Sequence, residues 1–226
     1  MINSHAKFSR KTYHLVRDQF PVIPIITYVN ELKKTLKGCN TVLDLGCGVT
    51  SPLRFLNFDY VVGLDLHKHA LSFAKKNKTH HRYILSDIRS VGDKFPRKSF
   101  AACCAFDVIE HLTKVEGLKL IKNMEKIAIK KVIIFTPNGY MHQKDNKNPL
   151  QNHRSAWTVQ EMKRLGFKVV GIFGPKFLRG NQHYFKGNKY ILGMISEIIQ
   201  YLHTRNHPET AAAILCFKTL PQPTKK

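Results

Sequence analysis

Four aspartates, two glycines and a Glu-His pair are the residues of this chain whose types and spacing could do chemistry. They are Asp44, Asp65, Asp87 and Asp107, then Gly46 and Gly48, then Glu110-His111. Asp44 stands near the end of the apolar run Thr41-Val42-Leu43-Asp44-Leu45, and Gly46-Cys47-Gly48 follows at once. That order predicts a buried strand entering a tight turn, where a backbone free of side chains can approach a ligand closely. Asp65 lies about twenty residues beyond the turn, the spacing at which an acid can accept both hydroxyls of a ribose. Two glycines in a strand-to-helix turn are common by themselves. The repetition of strand, acid and helix along the rest of the chain gives them meaning.

The elements that must position these residues alternate in type. Apolar, β-branched runs predict strands over residues 42–45, 60–66, 83–85, 100–106 and 132–135. Between them, apolar residues at helical spacing predict a helix following Pro52, a second over 69–76 and a third over 115–130. The third would place Leu120, Met124 and Ile127 on one face and Lys119, Lys122, Lys126 and Lys130 towards the other. Strands separated by helices argue for a mostly parallel α/β sheet, which binds ligands beyond the carboxyl ends of its strands. The acids sit at those ends: Asp44 and Asp65 close the first two strands, while Asp87 and Asp107 follow the third and fourth. A further helix over 25–36 with Gly38 as its stop leads into the first strand. Past the fifth strand, residues 137–153 read as a long polar loop, followed by a helix over 158–165, a strand over 168–173, a helix over 191–202 and a last strand over 211–217.

Charge narrows the ligand. A dinucleotide calls for G-x-G-x-x-G with its pyrophosphate on a helix N-terminus. Here the turn reads Gly46-Cys47-Gly48-Val49-Thr50-Ser51, so the third glycine is absent. A carboxylate at Asp44 would repel a pyrophosphate and attract a sulfonium or an amino group, which favours S-adenosylmethionine over NAD. Several motifs then resemble the class I S-adenosylmethionine-dependent methyltransferases across roughly residues 38–175. They are Val42-Leu43-Asp44-Leu45-Gly46-Cys47-Gly48, Val62-Gly63-Leu64-Asp65, Ser86-Asp87-Ile88 and Phe106-Asp107-Val108-Ile109-Glu110-His111-Leu112. Phe135-Thr136-Pro137-Asn138-Gly139 and the segment from Trp157 to Phe167 are similar to a subgroup known by generic methyltransferase activity.

The resemblance implies a Rossmann-like, doubly wound, seven-stranded sheet, mostly parallel with the last strand antiparallel; residues 211–217 are the candidate for that strand. It also implies a cofactor site. Asp44, Gly46, Cys47 and Gly48 would line the methionine and ribose region, and Asp65 with Leu66 would hold the ribose hydroxyls. Asp87 and Ile88 would flank the adenine, and Asp107 would close the site. Val49-Thr50 departs from the small residues many members carry there, so the shape of the turn differs.

Asp107, Glu110 and His111, at i, i+3 and i+4, would share one helix face. Three roles are open to them: a metal site, a general base at His111, or hydrogen bonding near the sheet. His111 and Asp107 are expected to be the catalytic residues, with no metal. Asp87 could equally cap a helix. Trp157 is expected to be a packing anchor, and Tyr140, His142, His153 and Arg154 to face an acceptor from the long loop.

The whole chain sets the outer limits. At 226 residues it is long enough for one domain with a substantial core. The expected organisation is an N-terminal arm and helix (1–37), a methyltransferase domain (38–220) with a substrate loop (137–156) and a C-terminal insertion (175–210), and a basic tail (221–226). Thirty-seven Lys and Arg against fifteen Asp and Glu give a net charge of +22, a field that favours anionic partners. Five cysteines without a CxxC pair predict reduced, buried thiols. With no apolar signal core at the N-terminus and no apolar run long enough to span a bilayer, the chain is expected to be soluble and cytoplasmic. The expected reaction moves a methyl group to an oxygen or nitrogen of a small-molecule, glycan or lipid-precursor acceptor. The alternatives are RNA methylation and a methyltransferase-like scaffold that binds nucleic acid without catalysis. Residues 190–202 could rest on an anionic membrane, though a helix packed across the sheet is the plainer expectation.

Overall fold

The computed structural model describes residues 28–143, 149–179, 185 and 189–221. The expected arm, the start of the first predicted helix and most of the basic tail lie outside the described residues. Seven strands form one sheet: β1 (Thr41–Leu45), β2 (Tyr60–Asp65), β3 (Arg82–Leu85), β4 (Phe100–Phe106), β5 (Ala128–Pro137), β6 (Lys168–Pro175) and β7 (Ala211–Thr219). Their order is β3-β2-β1-β4-β5-β7-β6. β1 pairs in parallel with both β2 and β4, so strand order reverses beside it, where an open α/β sheet opens its binding crevice. β7 runs antiparallel to β5 and β6. The sheet is thus the doubly wound, mostly parallel one the motifs imply, with the last strand reversed.

Apolar side chains pack on both faces. One face holds Leu43, Leu45, Leu64, Leu120, Met124, Ile134 and Trp157, and the other Tyr28, Leu32, Val42, Leu53, Ile133 and Phe135. The continuous run Val132–Phe135 is buried throughout, as a strand covered on both faces must be. Among the described residues five α-helices flank the sheet: α1 (Tyr28–Thr35), α2 (Lys68–Lys76), α3 (Lys114–Ile127), α4 (Val159–Arg164) and α5 (Lys189–Ile199). α3 and α4 each begin with a reciprocal capping box, Thr113 with Glu116 and Thr158 with Glu161.

Two sequence expectations are corrected. The helix after Pro52 is a single 3₁₀ turn, Pro52–Phe55, headed by Ser51 accepting from the Leu53 N–H. Residues 46–59 must spend most of their length on the glycine turn and the return to β2, which leaves no room for a longer crossover helix. The third helix also stops at Ile127 rather than 130, because Ala128 turns to extended backbone and β5 begins there. Lys130 and Lys131 are strand residues, and their amines reach back to the carbonyls of Gly38 and Thr35 at the end of α1.

At the far edge, α5 continues into a π-helical turn, Gln200–Thr204. Ser196, Gln200 and Thr204 are buried, and the Thr204 carbonyl lies so near Gly171 of β6 that a Cβ there would meet it at 1.9 Å. The inner face therefore packs on the sheet, as the plainer expectation had it, while Ile191, Met194, Ile198 and Leu202 are exposed. Among the described residues no helix is long and apolar enough to cross a membrane. All five cysteines are free and buried.

Candidate functional site

A cleft of about 320 Å³ opens at the carboxyl ends of β1, β2 and β4. The glycine turn forms one wall, with Asp44, Gly46, Cys47 and Gly48 all on it. Asp65, Leu66, Asp87 and Ile88 continue around it, and Asp107 and His111 lie opposite. The structure thus gathers every residue singled out from sequence as cofactor-binding or catalytic. Leu150, Gln151 and Arg154 complete the lining from the loop after β5.

The turn needs its glycines for two different reasons. Gly46 and Gly48 both have positive φ, 70° and 58°, which other L-residues adopt at a cost. A Cβ on Gly46 would also strike Val108 at 2.5 Å, whereas one on Gly48 would meet nothing within 4 Å. Gly46 allows close packing, and Gly48 faces open space. The amides of Gly46 and Cys47 both donate to the Leu64 carbonyl, which ties the turn to β2. Asp65, at the end of β2, is oriented by two amides: Gly48 N–H donates to Oδ2 and His67 N–H to Oδ1, each at 2.8 Å. A carboxylate oxygen has more than one acceptor site, so both oxygens keep capacity for hydroxyls.

Asp44 lies deeper. One oxygen accepts from His80 Nε2 at 2.9 Å, with both side chains buried, and the other, Oδ1, is buried without a partner among the described residues. A buried polar atom left unpaired is costly and calls for an explanation, and a donor group on a ligand would supply one. His80 was missed from sequence. Its signal was Gly63 in the middle of β2: a Cβ there would lie 2.9 Å from the His80 ring and from Cys47 Sγ. Glycine inside a strand marks such a close approach. Burial, with the Asp44 and Asp65 charges, pushes the Cys47 thiol far up, so it is no nucleophile.

Asp87 acts as a cap. Its carboxylate receives the Arg89 N–H at 2.8 Å and the Arg89 guanidinium Nε at 2.9–3.0 Å, heading the 3₁₀ turn Ile88–Asp93. Hydrogen bonding to Arg89 holds its carboxyl below the usual range.

The Asp107-Glu110-His111 cluster is built differently from the helix face expected. Asp107 has φ of 53° and donates its N–H to the Phe135 carbonyl, and Ile109–His111 is only a 3₁₀ turn. Glu110 points into the protein, where Oε2 accepts from Thr136 Oγ1 at 2.9 Å. Its carboxyl is pushed well up, first by burial and then by the Asp107 charge. His111 places Nδ1 3.2 Å from the Asn152 carbonyl, and burial pushes its pKa down.

Residues 149–157 form a strap over this side. Arg154 and Ser155 both donate their amides to the Glu110 carbonyl, and Ser155 Oγ and Trp157 Nε1 reach the Ile109 carbonyl. Trp157 is buried, and Gly117 of α3 makes room for its ring, since a Cβ there would meet it at 2.5 Å. The tryptophan is the anchor its composition suggested. His153, placed by this strap, stacks edge-on against His111 with ring centroids 5.0 Å apart. Of the four loop residues expected to face an acceptor, Arg154 lines the cleft, and Tyr140, His142 and His153 do not.

Known proteins share this fold. Residues 43–136 match the family described as methyltransferase domain. No curated protein matches the chain. A SAM-dependent methyltransferase from Archaeoglobus fulgidus shares the fold with a TM-score of 0.59 at 16% identity, over 96% of this chain and 100% of that one. The methyltransferase domain of bacterial CtHen1 gives 0.55 at 19%, over 85% and 96%. Magnesium protoporphyrin IX methyltransferase from Synechocystis PCC 6803, solved with bound SAM, gives 0.51 at 14%, over 98% and 86%.

Proposed function

We propose that the chain is a class I S-adenosylmethionine-dependent methyltransferase, whose cleft binds the donor along the glycine turn and the acceptor beneath the 149–157 strap. The reaction is methyl transfer to an oxygen or nitrogen of a small-molecule, glycan or lipid-precursor acceptor. The observation that carries this reading is that strand-end acids and strap residues line one continuous cleft.

S-adenosylmethionine supplies an electrophilic methyl on a sulfonium, so the protein's task is mainly to hold donor and acceptor in line. Asp65, oriented by two amides, accepts the ribose hydroxyls, with Leu66 beside it. The backbone of Gly46, Cys47 and Gly48 borders the methionine portion, and Asp44 Oδ1 offers its unpartnered lone pairs to the amino group. Ile88 gives the adenine an apolar wall, while Asp87, engaged by Arg89, fixes that wall in place. Asp107 closes the cleft. His111 is the residue assigned to the acceptor's proton: its lowered pKa keeps it neutral near pH 7, the state a base requires. Residues 38–220 act as the catalytic domain in this reading, with 137–156 as its acceptor loop.

Calorimetry with S-adenosylhomocysteine on the full chain is expected to show binding to a single site, and no binding would overturn the reading. A tritium-transfer screen from labelled S-adenosylmethionine into RNA, lipid, small-molecule and protein fractions would then identify the acceptor. The net charge of +22 favours RNA as the second reading. Label in RNA, with binding that falls steeply with salt, would put it first.

A further inference from the structure

We propose that Glu110, His111 and His153 form a binding site for a first-row divalent transition-metal cation in the wall of the cleft. One donor atom from each of the three residues lies within 4.8 Å of the others. Bonds of about 2.1 Å to nitrogen and oxygen allow donors up to ~4.2 Å apart, so small side-chain adjustments close the set around an ion.

The hydrogen bonds around the two histidines fix which nitrogen is offered. His111 Nδ1 faces the Asn152 carbonyl at 3.2 Å, and His153 Nδ1 faces the Met141 carbonyl at 2.7 Å. A carbonyl oxygen only accepts, so each Nδ1 carries the proton and each Nε2 carries the lone pair. An Nδ1–H held by a backbone carbonyl is the arrangement that orients ligating histidines and raises their basicity. The third member, Glu110, is a buried carboxylate, and a cation beside it would offset the cost of burying its charge. Two imidazoles and a carboxylate suit manganese, iron, cobalt or zinc better than calcium or magnesium.

The strap assembles the set. Backbone amides of Arg154 and Ser155 both donate to the Glu110 carbonyl, so the residue next to His153 is tied to the first ligand itself. The nearby cation Arg154 is engaged by Glu116 at 3.3 Å. His111 also lines the cleft, so an ion held there borders the acceptor space.

The role of such an ion rests on the methyltransferase reading above. It would bind an acceptor oxygen and lower the pKa of its hydroxyl. With the ion in place His111 would serve as its ligand, replacing the base role proposed above, and the proton of the hydroxyl would pass to solvent. The acceptor class this favours is one presenting a hydroxyl.

The test uses chelator-stripped full-length protein, titrated with Co²⁺ and followed by d–d absorption, and with Mn²⁺ followed by calorimetry. Wild type is expected to bind one equivalent with nitrogen-ligated cobalt bands, and His153→Ala and His111→Ala to lose at least about tenfold in affinity. Glu110→Gln, which keeps the side-chain volume, checks the carboxylate if an alanine variant melts early. S-adenosylhomocysteine affinity of His153→Ala should stay within about twofold of wild type. Absence of saturable binding in wild type, or equal binding in all variants, would overturn the site. Cation binding without any S-adenosylhomocysteine binding would uphold the site and remove the methyltransferase reading instead.

Discussion

The two walls of the cleft, proposed to hold the donor and the acceptor, are made in opposite ways. The donor wall is local: Asp44 to Gly48 are consecutive, Asp65 follows one strand later, and their hydrogen bonds run between adjacent strands β1 and β2. The acceptor wall is remote: the strap at 149–157 hangs on the carbonyls of Ile109 and Glu110, about forty residues earlier, and on one buried indole. A wall made from strand ends inherits the rigidity of the sheet. A wall made from a strap depends on its hooks. Donor binding and strap integrity should therefore be separable by mutation.

The largest break is expected at the hook. Trp157→Ala removes a fully buried indole and leaves the space beside Gly117 empty, at about 3–5 kcal/mol of stability. Urea unfolding measures that loss. At temperatures where the variant stays folded, S-adenosylhomocysteine affinity should change by less than about threefold, since no donor-wall bond involves the ring. A donor affinity that fell in step with stability would show that the walls are not separable.

Asp65→Ala is the converse experiment. It removes a carboxylate that fixes the amides of Gly48 and His67 and is assigned to the ribose. Two charged hydrogen bonds lost at about 1.5 kcal/mol or more each predict roughly a hundredfold weaker S-adenosylhomocysteine binding by calorimetry. The melting midpoint should move much less than for Trp157→Ala. Unchanged affinity would mean the ribose assignment is wrong.

The same contrast explains what the sequence made legible. The donor wall could be read because its chemistry is written in adjacent residues: an apolar run, an acid, two glycines, then another strand with its acid. The seven-strand α/β sheet was legible for the same reason, since parallel strands are continuous apolar runs. The acceptor wall uses backbone carbonyls as partners, and a carbonyl is present at every position, so sequence cannot mark which one is used. His153 was therefore visible only as a loop residue, not as a neighbour of His111. The expected helix face of Asp107, Glu110 and His111 failed because Asp107 takes a left-handed conformation and the turn after it is too short. The end of α3 was misplaced for a related reason. Pairing of Ala128 with Phe100 of β4, and of Lys131 with Ala102, overrides the helical spacing of 128–130.

A smaller effect probes the floor beneath the donor wall. Gly63→Ala would put a methyl 2.9 Å from the His80 ring and from Cys47 Sγ, both buried. One of them must move, at about 1–3 kcal/mol of stability. If the His80 ring shifts, Asp44 loses its partner, and donor affinity should fall as well. A variant that loses stability but keeps full affinity would show that the Asp44–His80 bond serves the fold alone.

The smallest effect concerns Glu116, a side chain that reaches arginines on both walls. Glu116 closes the capping box of α3 by accepting from Thr113, and it also meets Arg89 at 3.5 Å and Arg154 at 3.3 Å. Arg89 holds Asp87 on the donor side, while Arg154 belongs to the strap. The Thr113 backbone amide, then its hydroxyl, holds the Glu116 carboxyl below its ordinary value. A carboxyl with a depressed folded pKa contributes stability that is present above the unfolded pKa of about 4.3 and is lost as pH falls through the folded value. Glu116→Gln should therefore cost about 1 kcal/mol at pH 7, the scale of a helix cap, and the gap to wild type should shrink as the pH drops below about 4. Urea midpoints between pH 3 and 7 measure both. If Glu116 only caps α3, donor affinity is untouched. If it couples the walls through its two arginines, donor affinity falls alongside stability, and the separation drawn between the walls fails at this residue first.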